Sequence, residues 1–151
     1  MAWIVGALIL LLGAATTAPA NDDPPLMPPP TAPSAESRYT DGLALAKASD
    51  WRGAEQAHRE AIRLKAAFPA AWNGLGHALR KQSLYDESVR AYREALRLRP
   101  DYPQALEYLG EAYVQMGRLE DARAILIRLQ PLDPVEAAEL AEAIRKASAP
   151  R

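Results

Sequence analysis

Residues 69–102 read PAAWNGLGHALRKQSLYDESVRAYREALRLRPDY, and this stretch decides the fold. Trp72, Leu75 and Leu79 stand at i, i+3 and i+7, one face of a 3.6-residue helix. Tyr92, Ala95 and Leu96 make a matching stripe further on. Pro100 has no amide hydrogen and disfavours helix in the residue before it, so the second apolar segment must stop at about Leu98-Arg99. The stretch predicts two helices, 70–81 and 86–98, joined by a short turn. Gly76 and Ala95, almost without side chains, are expected to let the two helices approach closely.

The pattern recurs at an interval of 34 residues. Gly42, Gly76 and Gly110 form one column; Ala54, Ser88 and Ala122 form a second. Ala61, Ala95 and Leu129 are in step, as are Leu64, Leu98 and Leu132, and the bulky Trp51, Tyr85 and Leu119. Pro100 and Pro134 close two of the units. Residues 35–136 therefore divide into three units, 35–68, 69–102 and 103–136. The middle unit, with Trp72-x2-Leu75-Gly76-x2-Leu79, Ser88-x3-Tyr92, Ala95 and Pro100, resembles the tetratricopeptide (TPR) signature W-x2-L-G-x2-Y…A-x3-F…P. The third follows it with Leu106, Leu109, Gly110, Tyr113, Ala122, Leu126 and Pro134. The first is degenerate: Arg38 and Asp41 replace the Trp and Leu, and His58 takes the Phe slot as a packing residue.

The resemblance implies an all-α fold, a right-handed α-solenoid of three TPR helical hairpins. A single unit cannot bury its apolar face alone, and about three are needed for a stable stack. Further helices are expected at 36–48, 52–65, 104–115 and 120–130. Asp133-Pro134-Val135-Glu136 reads as an N-cap, a proline at the first helical position and an acid in the first turn. It opens a C-terminal capping helix from Pro134 to Ala147, so residues 137–151 hold the rest of that helix and a tail. Ala137, Leu140, Ala141, Ile144 and Ala147 would form its apolar stripe, with Glu136, Glu139, Glu142 and Lys146 outside.

In similar proteins the first helix of each unit lines a concave groove that holds a peptide or a helix. The stripe of Asn73, His77 and Arg80 lies off the buried face of the middle unit. Its equivalents are Tyr39, Leu43 and Ala46, then Glu107, Glu111 and Val114. With Lys81 and Gln104 added, the candidate partner-binding groove is Tyr39, Leu43, Asn73, His77, Arg80, Lys81, Gln104, Glu107 and Glu111; plain solvent exposure is the competing reading for each. Some TPR proteins clamp a C-terminal carboxylate with Lys and Asn on these helices. Tyr39 and Leu43 stand in those slots here, and Glu107 and Glu111 would repel a carboxylate. A ligand with an apolar anchor near Tyr39 and Leu43 and a basic group near Glu107 and Glu111 is expected instead.

Outside the repeats, Ala2–Ala20 carries no charge, and its run Trp3–Leu12 ends in small residues and Ala18-Pro19-Ala20. Residues 1–20 read as a secretory signal peptide cut after Ala20, or as an uncleaved N-terminal anchor. Either way the rest is expected outside the cytoplasm: exported and periplasmic, or anchored to the inner membrane facing the periplasm. Residues 21–34, with six prolines, read as an extended linker.

The formal net charge of −1 lacks the basic excess of a nucleic-acid binder. Glu36–Arg99 holds 12 Lys and Arg against 8 Asp and Glu, and residues 100–151 hold 6 against 9. This is a mild dipole along the array. The chain has no cysteine, so no disulfide framework or thiol nucleophile. Gly74-Leu75-Gly76 is mid-helix and not a phosphate loop, Ser83 and Ser88 lack a base, and neither His58 nor His77 has partners for catalysis or metal binding. No catalytic residue, metal, cofactor, nucleic acid or small-molecule substrate is expected, and membrane contact only through an uncleaved N-terminus. The expected function is a non-catalytic scaffold or adaptor for a protein or peptide partner, in assembly of an envelope or secretion complex. The alternative is a membrane-anchored structural subunit that self-associates through its solenoid ends.

Overall fold

A computed structural model of the chain describes residues 32–149; the expected signal peptide and most of the linker lie outside them. The described residues form seven α-helices and no strand: α1 (Ala35–Lys47), α2 (Trp51–Leu64), α3 (Pro69–Lys81), α4 (Tyr85–Leu98), α5 (Pro103–Gln115), α6 (Leu119–Leu129) and α7 (Pro134–Ser148). None is long and apolar enough to cross a membrane. Expected and observed helix limits agree to within one residue. Helices α3, α5 and α7 start on Pro69, Pro103 and Pro134, whose fixed φ suits a first helical position. Ser34, Asp50 and Asp133 cap α1, α2 and α7, accepting from the backbone N–H of Ser37, Gly53, and both Val135 and Glu136.

Each hairpin turns on one left-handed residue, Ser49 (φ 60°), Ser83 (φ 63°) and Gly117 (φ 71°). The residue after it donates its N–H to the carbonyl five positions back: Asp50 to Leu45, Leu84 to Leu79, Arg118 to Tyr113. This is the Schellman closure, which satisfies the last carbonyls of the first helix and reverses the chain.

The glycine column works differently from the expected approach of Gly76 to Ala95. A Cβ on Gly42 would lie 2.5 Å from the His58 imidazole, and one on Gly76 would lie 2.6 Å from the Tyr92 ring. The glycines thus seat the ring that follows them in their own hairpin. His58 is pressed from the other side by Gly74, where a Cβ would come within 2.6 Å. Both rings are fully buried, as expected for His58. The main core runs from Val89 and Tyr92 through Leu106, Leu109 and Leu129 to Leu140 and Ile144. A smaller cluster of Leu75, Leu79 and Ala91 adjoins Ile62 and Trp72. Trp72, expected in the buried stripe, is half-buried, and its indole N–H donates to the Ala66 carbonyl at 2.9 Å. On α7, Ala137, Leu140 and Ile144 are buried, but Ala141 and Ala147 face solvent. Helix α7 packs on both α5 and α6, so two helices absorb its apolar side.

The first helices pack on one another across units, α1 on α3 and α3 on α5, whereas the backbones of α2, α4 and α6 stand apart, α2 and α4 joined by the Arg59–Glu87 ion pair at 3.3 Å. Close spacing on one side and splay on the other bend the stack, with α1, α3 and α5 on its inner face.

Candidate functional site

The inner face holds a concavity of about 280 Å³ above α3, walled by α1 and α5. Tyr39, Leu43, Ala46 and Lys47 form one wall, Gln104 and Tyr108 the other, and Ala70, Asn73, Gly74 and His77 the floor. Five of the nine sequence candidates meet here: Tyr39, Leu43, Asn73, His77 and Gln104.

Aromatic contacts fix the walls. Tyr39 packs on His58 and Phe68 with ring centroids 5.6 and 5.1 Å apart. His77 stacks on Tyr108 at 5.1 Å and meets the edge of Trp51 at 5.5 Å. Burial, with the charges of Arg80 and Lys81 second, pushes the His77 imidazole down to about 4, so it is neutral at neutral pH. Burial does the same to His58, also down to about 4, with His77 as the lesser cause. An amide chain crosses the floor. Asn73 Nδ2 donates to Gln104 Oε1 at 3.1 Å, the Tyr102 hydroxyl donates to the same oxygen at 3.3 Å, and Gln104 Nε2 donates to the Tyr108 hydroxyl at 3.4 Å. Asn73 is only 5% exposed, and its Oδ1 has no hydrogen-bond partner.

The remaining candidates sit elsewhere. Arg80 is buried, not exposed: its guanidinium pairs with Glu111 at 2.8 Å and lies 5.4 Å from the Tyr108 ring centroid. Lys81 stands over Trp51. Glu107 faces the charges of Glu136 and Glu139 on α7, and burial followed by Glu136 pushes its carboxyl up to about 7. An acidic wall for a basic ligand group is therefore not part of this concavity, since Glu111 already holds Arg80 and Glu107 points toward α7.

The displacement has a geometric reason. The columns follow identical positions on each helix, but opposing walls of a groove face each other. Helix α1 presents Tyr39 and Leu43 inward, and α5 answers with its other edge, Gln104 and Tyr108. Tyr108 was missed because its equivalent in the middle unit is Gly74, which has no side chain to mark the column. Its signal was a tyrosine one helical turn beyond Gln104.

Chemically, the concavity offers apolar and aromatic contact, a neutral imidazole and a half-satisfied amide. Among the described residues no group of three His, Asp or Glu is placed to hold a metal ion.

A family model described as TPR repeat matches residues 76–117, and one described as tetratricopeptide repeat matches residues 39–88. No curated protein matches the chain. Among solved structures, the Arabidopsis OM64 TPR domain is similar at 21% identity and a TM-score of 0.72, covering 75% of this chain and 95% of that one. The TPR2B domain of yeast Sti1, in its pHsp70 complex, is 22% identical with a TM-score of 0.71, covering 76% and 95%. The Yersinia enterocolitica type III secretion chaperone SycD, in complex with a peptide of the translocator YopD, is 18% identical with a TM-score of 0.69, covering 76% and 94%. At these identities the likeness is one of fold.

Proposed function

Since residues 39–117 belong to the tetratricopeptide repeat family, we propose that this chain is a non-catalytic adaptor that holds a peptide or helix of a partner protein against α1, α3 and α5. The observation that carries the reading is the meeting of Tyr39, Leu43, Asn73, His77, Gln104 and Tyr108 in one concavity on the inner face. Peptide complexes of the similar Sti1 and SycD domains support it. Its place is outside the cytoplasm, in assembly of an envelope or secretion complex; the uncharged run Ala2–Ala20 and the small residues before Asn21 support that part.

Leu43 is 46% exposed, so Leu43→Glu should leave the fold intact and place a charge on the wall. The full chain immobilised on resin should retain a partner from periplasmic extract that the Leu43→Glu chain loses. Identical recoveries from both baits would refute the groove. Cell fractionation with N-terminal sequencing tests export, the expected mature terminus being Asn21. Gel filtration over a range of concentrations separates an adaptor from the self-associating alternative, which predicts elution that shifts with concentration.

A further inference from the structure

Resting on the groove reading above, we infer that the concavity takes an internal, extended stretch of the partner, with one apolar side chain inserted and its peptide group bonded to the Asn73 amide, and that it rejects a chain end bearing a free carboxylate. Three observations carry this.

The first is the Asn73 amide. It is almost wholly buried at the groove floor, one polar atom bonded to Gln104 and the other bonded to nothing. Turning the amide over requires turning Gln104 as well, since Gln104 Oε1 would otherwise face the Asn73 oxygen, and the atom then left unpartnered is a donor in place of an acceptor. A peptide unit carries both N–H and C=O, so an extended backbone satisfies either arrangement. A buried polar group without a partner is unfavourable, and a bound peptide group relieves that penalty.

The second is the lining. Tyr39, Leu43, Ala46, Ala70 and Tyr108 present apolar surface around about 280 Å³. A hollow of this size admits a large apolar side chain.

The third is the lack of a free cation at the floor. Arg80 is already held by Glu111 and covered by Tyr108, and Lys81 stands over Trp51. Lys47, at the exposed end of the α1 wall, meets solvent, and an exposed ammonium pairs weakly across water. A carboxylate entering the concavity would give up its hydration for aromatic faces and a neutral imidazole.

The test uses the immobilised full chain and four pools of short synthetic peptides on a Gly/Ser/Ala background. Leu or Phe stands at the centre or at the last position, and the C-terminus is an amide or a free acid. The amidated pool with the central anchor should be retained at least about tenfold better than the free-acid pool with the terminal anchor. Asn73→Leu should lower that retention about tenfold while melting at the same or a higher temperature, because it removes a half-satisfied buried amide. Leu43→Glu should abolish retention. If the terminal free-acid pool binds as well or better, and Leu43→Glu abolishes that binding, the groove stands and this inference falls. Unchanged retention by Asn73→Leu overturns the role of Asn73. Retention of no pool, or retention indifferent to Leu43→Glu, removes the groove reading and this inference with it.

Discussion

The side chain nearest Gly110 of α5 is Leu140 of α7, whose Cδ2 would lie 2.5 Å from a Cβ built on that glycine. In the first two hairpins the same glycine column is filled from within the unit, by His58 and Tyr92. In the third, Leu126 has the equivalent sequence position but is only half-buried, and α7 supplies the filling. The capping helix is thus a working part of the core. Leu140→Ala should cost about 3 kcal/mol, the range for a fully buried leucine that leaves a cavity. Leu126→Ala should cost clearly less. Urea unfolding of both variants checks this, and equal losses would mean that α7 is only a surface cover.

Gly76→Ala sets two effects against each other. Alanine is better than glycine by about 1 kcal/mol inside a helix. Its Cβ, however, would stand 2.6 Å from a Tyr92 ring that is 0% exposed and has nowhere to go. Overpacking at such a site costs about 1–3 kcal/mol, so the net expected effect is destabilising. Gly76→Ala with Tyr92→Leu should recover part of the loss. A stabilised single variant in thermal melts would contradict the seating of Tyr92 on this glycine.

These contacts mark where sequence reading succeeds and where it stops. The interval of 34 residues fixed the hairpins, their limits and the buried state of His58, because each depends on local spacing. It could not show Leu140 over Gly110, since that contact breaks the repeat. It placed Glu107 and Glu111 in the groove by carrying Asn73 and His77 forward, although the facing wall of α5 uses its opposite edge. Arg80 looked like an exposed cation because nothing in the spacing announces a pairing with Glu111 on the next first helix. The column Ser49, Ser83 and Gly117 was equally silent, for serine is an ordinary residue until its φ is known.

That column yields a prediction of its own. Ser83 holds φ at 63°, a region unfavourable by about 1–2 kcal/mol for a residue with a Cβ, while Gly117 fills the same place freely. Glycine also adds freedom to the unfolded chain, which offsets part of the gain. Ser83→Gly should therefore stabilise the protein by about 0.5–1 kcal/mol. Gly117→Ser should destabilise it by a similar amount. Opposite signs in chemical unfolding would overturn the Schellman assignment.

Acid should loosen the first hairpin. His58 titrates at about 4 in the folded chain against an ordinary 6.5. Above pH 6.5 it is neutral in both states and contributes no pH dependence. As pH falls from 6.5 to 4 the unfolded chain takes up a proton that the folded chain refuses, so stability drops by up to about 1.4 kcal/mol per pH unit. Below 4 the loss levels off. His77 acts in the same direction, less strongly because it is partly exposed. Glu107 opposes them: held at about 7 against 4.5, it contributes stability that is complete below 4.5 and lost as pH rises to 7. His58→Leu, which places there the residue type of the third unit, should flatten the acid limb of the urea midpoint plotted against pH. Glu107→Gln should flatten the limb between 4.5 and 7. A His58→Leu chain with the parental acid slope would show that His58 is not the group responsible.

The Arg80–Glu111 pair ties α3 to α5 beneath the groove, and its two halves should respond unequally. Arg80 is 8% exposed, whereas the Glu111 side chain is 40% exposed. Removing the acid strands a buried guanidinium, which is costly because the interior cannot replace the lost partner. Partial solvent access at the Glu111 side moderates this, so Glu111→Ala should cost about 2 kcal/mol. Arg80→Met keeps the apolar stem against Tyr108, removes the buried charge and returns Glu111 to solvent, so it should be close to neutral. The double variant should then be nearly as stable as the parent, with most of the Glu111→Ala loss recovered. A double variant that merely sums the two single losses would mean that the ion pair is not what couples these helices.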